Sequence, residues 1–117
     1  MGDLQLEIQQ DDAGDVTVLA ISGRVDSLTA PALGEKMIAA LGAPNARLIA
    51  DLSGVEYLSS AGLRVLLQAM KQAQKAKGKL VLHGLNARVA EVFEISGFNS
   101  ILTVCGTRDE ALALIAA

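Results

Sequence analysis

The stretch DLSGVEYLSSAGLRVLL, residues 51–67, decides how this chain is read. It starts as the end of an apolar strand and finishes as a helix with an apolar stripe. Between the two stand a glycine, a tyrosine and the adjacent serines Ser59 and Ser60. A serine at a strand-to-helix junction is, taken alone, an N-cap, because the first helical turn leaves backbone amides that its oxygen can accept from. One cap needs one hydroxyl. The second asks for another explanation.

Working outward, RLIADLS (residues 47–53) reads as a central strand. The following helix is expected over about residues 61–77, with Leu63, Leu66, Leu67, Met70 and Ala73 on one face and Gly78 as its stop. LQLEIQQ (residues 4–10) alternates apolar and polar, as a strand with one wet face does. DDAGD is a turn by composition, and VTVLAIS (residues 16–22) is a more buried strand that forms a hairpin with the first. Thr29 is placed to cap a helix with Pro31 in its first turn, Leu33, Met37 and Leu41 form its buried stripe, and residues 42–44 end it. KLVLHG is another core strand. NARVAEVFEISG is a short helix capped by Asn86 and closed by Gly97, and ILTVCG is a last strand. Thr107 and Glu110 make a capping box that opens a terminal helix. The order β-β-α-β-α-β-α-β-α needs crossover connections, so the expected class is a single α/β domain over residues 1–117, with a mostly parallel, mixed sheet covered by helices.

Composition narrows the function. Aromatic residues are 3% with no Trp, which leaves no stacking platform for single-stranded nucleic acid. A net charge of −3 disfavours nucleic acid or an anionic membrane as partner. Apolar runs are too short to span a membrane, the opening Met-Gly-Asp starts no signal peptide, and the single Cys105 suits a reducing compartment, so a cytoplasmic protein is expected.

Catalytic constellations are missing. LSSAG lacks the first glycine of a nucleophile elbow, since Leu58 stands there. The sole histidine, His83, ends a strand with no acid near it in sequence and is expected to be satisfied by backbone or water; a triad of Ser60 and His83 is disfavoured. Cys105 reads as a buried small hydrophobe, one His and one Cys make no zinc site, and Gly54 opens no phosphate-binding loop. Lys71, Lys75, Lys77 and Lys79 complement a helix C-terminus and read as a solvated face. Tyr57, in a surface loop beside the serines, is either a contact anchor or packed on the second helix. No enzyme, metal or cofactor is expected.

The element order, with GRVDSLTAPAL after strand two, DLSGVEYLSSAGLRVLL after strand three and EVFEISGF before the last strand, resembles the STAS domain of the anti-anti-sigma factors over nearly the whole chain. That resemblance implies a serine phosphorylated by a partner that is both kinase and anti-sigma factor. Ser60 falls at the acceptor position, and Asp26 matches a common aspartate of the neighbouring loop. The chain departs at Ser59, where many members carry Asp, and at Ala61, where a second Ser is frequent; Ser59 is therefore a rival acceptor. The implied partner-binding set is Asp26, Ser27, Tyr57, Ser59, Ser60, Ala61, Gly62 and Arg64. The implied partners are the anti-sigma factor/serine kinase, which supplies ATP, and a PP2C-type phosphatase. Gly62 is expected to keep the first helical turn free of a side chain, open to close approach by another backbone or an ATP γ-phosphate. The alternative is a STAS-type scaffold or a small-ligand or nucleotide-binding domain outside sigma-factor control.

Overall fold

The computed structural model describes residues 5–116. Within them one sheet runs in the order β1-β2-β3-β4-β5. Its strands are β1 (Leu6–Ala13), β2 (Val16–Val25), β3 (Arg47–Leu58), β4 (Lys79–His83) and β5 (Thr103–Cys105); the helices are α1 (Ala30–Ala40), α2 (Ser60–Lys75), α3 (Ala87–Ser96) and α4 (Arg108–Ala116). β1 and β2 are antiparallel, and every other neighbouring pair is parallel. The expected order and class are what the chain adopts. No helix among the described residues is long and apolar enough to cross a membrane.

Two apolar layers hold the sheet. On one face α1, α2 and α3 bury Leu33, Met37, Leu66, Ala69, Val89 and Phe93 against Leu19, Ile21, Leu48, Leu52 and Leu82. On the other, α4 sets Ala111 and Ile115 over Val16, Val18, Ile49 and Val81. The expected α1 stripe of Leu33, Met37 and Leu41 is fully buried. On α2, Leu67 is only half-buried, and Gly62 and Ala69 take buried places instead.

β3 departs most from expectation, because it does not stop at Ser53 but runs to Leu58. The reason lies in its pairing with β2. From Ala20 to Ser22, β2 advances two residues while β3 advances three, from Asp51 to Gly54; between Gly23 and Arg24 it happens again, from Val55 to Tyr57. Each β-bulge inserts one residue into β3 and re-aims those that follow. Buried positions then recur every three residues, at Leu52, Val55 and Leu58, instead of every two. The Asp51 carboxylate holds the first bulge, accepting from Ser53 N at 2.9 Å and Ser53 Oγ at 2.7 Å.

Other boundaries shift for local reasons. β1 runs through Asp11 and Asp12, so only Gly14 and Asp15 make the turn, with Gly14 at φ +66°; the expected start of that strand at Leu4, the opening Met-Gly-Asp, and the end of α4 at Ala117 lie outside the described residues. β2 extends to Val25, three residues past Ser22. β5 is shorter than expected, because Phe98–Ser100 coil into a 3-10 turn before it. α2 begins one residue earlier and ends two earlier than expected, and Lys77 takes the left-handed conformation at φ +59°. Gly78 serves packing instead: a Cβ there would run into the Ala46 carbonyl oxygen. α3 carries the expected ends, with Asn86 Oδ1 accepting from Val89 N at 2.8 Å and Gly97 left-handed at φ +79°. The Thr107–Glu110 box forms as expected in both directions, at 3.2 and 3.0 Å. Gly78→Ala should destabilise the fold by about 1–3 kcal/mol, because the obstacle is backbone and cannot turn aside. Urea denaturation should show this as a lower midpoint with an unchanged slope.

Candidate functional site

The strand-to-helix junction sits at the C-terminal ends of β2 and β3. β4 pairs with β3 only as far as Asp51 opposite His83, so beyond that point β3 continues with β2 as its strand partner. Asn86 Nδ2 covers the vacated edge by donating to the Val55 carbonyl at 2.9 Å. The junction is then clamped by Ser59 N donating to the Val25 carbonyl at 2.9 Å.

The two serines that follow are treated differently by the fold. Ser59 is the N-cap of α2: its backbone is extended, its side chain is half-buried, and its Oγ accepts from Gly62 N at 3.4 Å. Ser60 is the first helical residue and is exposed. Among the described residues, its hydroxyl makes no hydrogen bond. Ala61 is half-buried against the main core, and Arg64 stands exposed one turn beyond Ser60. Gly62 corrects an expectation. It is buried, and a Cβ on it would lie 2.5 Å from Leu58 Cδ1 and 2.8 Å from Val25 Cγ1. Its lack of a side chain lets α2 settle onto its own strands and does not open the turn to a visitor.

Asp26 organises the neighbouring loop. Its Oδ1 accepts from Leu28 N at 3.0 Å, Thr29 N at 3.1 Å and Thr29 Oγ1 at 3.3 Å. The Thr29 backbone amide holds the Asp26 carboxyl below the usual carboxylate range against partial desolvation, with Leu28, the Thr29 hydroxyl and the Arg24 charge adding to the effect. Thr29 occupies the α1 N-cap position, as expected, but makes no side-chain cap bond. Its hydroxyl instead donates to the Arg24 carbonyl and accepts from Asp26 N, which ties the loop to the end of β2. Ser27 and Leu28 are left exposed at the tip.

Tyr57 is not in a loop. It lies on β3 in register with Arg24 of β2, and the Arg24 guanidinium sits over its ring at 4.6 Å from the centroid. This pair was not legible beforehand, because only the bulge count brings those two residues opposite one another.

The remaining reactive side chains lie apart from the serines. His83 is 5% exposed, and the acid it lacks in sequence stands across the sheet: Nε2 is 3.9 Å from Asp51 Oδ1 and has no hydrogen-bond partner. Among protein groups that nitrogen faces a cross-strand carboxylate beyond hydrogen-bonding distance, and no backbone carbonyl takes its place. The hydroxyl on that carboxylate is Ser53, not Ser60. Cys105 is half-buried, and burial, then the Glu110 charge, pushes its thiol pKa up, which suits an inert side chain. A cavity of about 370 Å³ lined by Met70, Leu80, Ile101 and Leu114 sits near the starts of β4 and β5, at the other end of the sheet from Ser60.

A family model described as "Mlab, STAS domain" matches residues 8–103. The chain belongs to the STAS-domain family. It is 38% identical over 108 residues, 92% of this chain and 93% of the relative, to the Bordetella bronchiseptica protein BtrV, and 30% identical over 107 residues, 92% of this chain and 93% of the relative, to the Listeria monocytogenes anti-sigma-B factor antagonist. The crystal structure of an anti-sigma factor antagonist from Mycobacterium paratuberculosis superposes with a TM-score of 0.79 at 28% identity, covering 96% of this chain and 95% of that one. The Bacillus cell fate determinant SpoIIAA in its phosphorylated form has the same fold, with a TM-score of 0.68 at 19% identity over 93% of this chain and 99% of that one.

The unequal use of the two hydroxyls has a measurable consequence. Ser59→Ala removes a working cap and should cost about 1 kcal/mol of stability. Ser60→Ala removes only an exposed hydroxyl and should stay within about 0.5 kcal/mol of the native chain. Paired urea titrations of the two variants check this.

Proposed function

We propose that this chain is an anti-sigma factor antagonist. Its unmodified form binds an anti-sigma factor that is also a serine kinase, and a sigma factor is thereby released. Phosphorylation of Ser60 breaks the complex, and a PP2C-type phosphatase restores it by hydrolysing the phosphoserine to serine and inorganic phosphate. In the forward step the Ser60 oxygen attacks the γ-phosphorus of ATP held by the kinase, ADP departs, and the hydroxyl proton passes to the kinase. The kinase contributes nucleotide and metal; this chain contributes the acceptor and the docking surface.

One observation carries the reading: of two adjacent serines at a helix start, the fold uses Ser59 as its cap and leaves Ser60 free and exposed. A phosphate on Ser60 lies where α2 presents unpaired amides and the positive end of its dipole, so the helix tolerates or even favours it. A phosphate on Ser59 would instead replace the cap oxygen beside the buried Gly62. The effect of the charge falls on the partner. A group bearing about −1.5 to −2 charge must be desolvated on docking, at a cost of several kcal/mol if it finds no counter-ion. Each 1.4 kcal/mol is about tenfold in affinity, so loss of about 100-fold or more follows. The family membership, and the existence of a related fold carrying phosphate, support the same reading.

Calorimetric titration with the anti-sigma partner tests it. Ser60→Ala should bind as the unmodified chain does and resist inactivation by kinase and ATP, while Ser60→Asp should bind about 100-fold more weakly. Equal affinity for both variants contradicts the switch.

A further inference from the structure

The face of the β2–β3 end opposite the three-helix layer carries a feature that the fold does not use. Strand alternation puts Arg24 and Tyr57 on the opposite side from Val25 and Leu58, which pack into the main core. α4 covers only the beginnings of the strands, over Val16, Val18, Ile49 and Val81. Arg24 is accordingly exposed, and Tyr57, the chain's single tyrosine, keeps 37% of its surface in solvent. The ion pairs among the described residues are His83 with Asp51 and Arg108 with Asp11, so none of the described carboxylates lies within bridging distance of Arg24.

We infer that Arg24, whose guanidinium carbon lies 4.6 Å from the centre of the Tyr57 ring, is the anchor by which this chain grips an acidic side chain of its anti-sigma partner; the inference rests on the reading proposed above and gives its docking surface a chemistry. A guanidinium stacked on a ring spends its face on the aromatic, while its N–H donors lie in its own plane and stay available. That geometry presents a fixed fork, and the planar acceptor that fits a fork is a carboxylate bound through two parallel bonds. The ring removes side-chain freedom before docking, so less ordering entropy is lost on binding. Arginine and tyrosine are also the residue types that dominate interface energetics when they sit at the centre of a contact.

Position ties the pair to the switch. Arg24 precedes Val25, whose carbonyl receives the Ser59 amide, so the pair lies at the same end of the sheet as the start of α2 that carries Ser60. A discrete carboxylate on a protein surface suits a single exposed guanidinium better than a polyanion does, since the chain as a whole carries −3, which disfavours nucleic acid. Phosphate on Ser60 then weakens docking in a second way. It adds negative charge at the same end of the sheet and repels the carboxylate that approaches.

The test titrates the full chain and its variants by calorimetry against the anti-sigma factors of the organism that makes it, each expressed singly. Arg24→Ala should lose about tenfold or more in affinity at an unchanged melting temperature, and its affinity should depend less steeply on salt. Arg24→Lys keeps the charge but not the fork and should not restore binding. Tyr57→Leu removes the ring that holds the fork and should lose affinity as well. Native affinity in Arg24→Ala, in Arg24→Lys or in Tyr57→Leu overturns the inference and leaves the switch at Ser60 standing. A native chain that binds none of these partners overturns the sigma-pathway reading itself.

Discussion

The hydrogen bond from the Ser59 amide to the Val25 carbonyl, 2.9 Å long, fixes where α2 begins relative to the sheet. Everything at the candidate site takes its position from it. On one side it brings the first turn of α2 down so closely that only glycine fits at position 62, between Leu58 and Val25. On the other it closes the β2–β3 ladder just past the point where the two bulges bring Arg24 opposite Tyr57. Asp26 then turns the chain away from the end of β2 into α1, through the amides of Leu28 and Thr29. A junction built this way is stiff in its backbone and open at one side chain, Ser60.

That combination is what the proposed switch at Ser60 asks of the fold. Stability is drawn from the two apolar layers and from a cap that is separate from the proposed acceptor. Adding charge to Ser60 therefore acts on an exposed helix terminus that favours anions, where a domain of marginal stability can bear it. The consequence appears only when a second protein has to cover the charge. Function and folding thus share one helix start without competing for the same hydroxyl.

Much of this was legible in the residues alone, wherever cause and effect lie within one turn or one strand. The Leu33–Met37–Leu41 stripe, the Asn86 cap, the left-handed Gly97 and the Thr107–Glu110 box are all local devices, and each formed as its sequence implies. What could not be read depends on partners distant in sequence. β3 was cut short at Ser53 because its two bulges stretch the burial period from two to three, and the bulges exist only against β2. Gly78 and Gly62 were assigned a stop and an opening, but the atoms that exclude a side chain there belong to Ala46 and to Leu58 and Val25. The acid beside His83 is a strand away at Asp51. The residue pattern puts the two serines at a helix start, and the geometry of the cap is what distinguishes Ser60 from Ser59.

The central claim is that a hydroxyl which the fold leaves idle is the one that carries phosphate. Peptide mapping by mass spectrometry of the chain purified from its own cells, before and after phosphatase treatment, tests this most directly. The account predicts one phosphate on the peptide spanning the two serines, placed on Ser60 by fragmentation and removed by the phosphatase. Phosphate on Ser59, or a chain that stays unmodified under every growth condition, would contradict it.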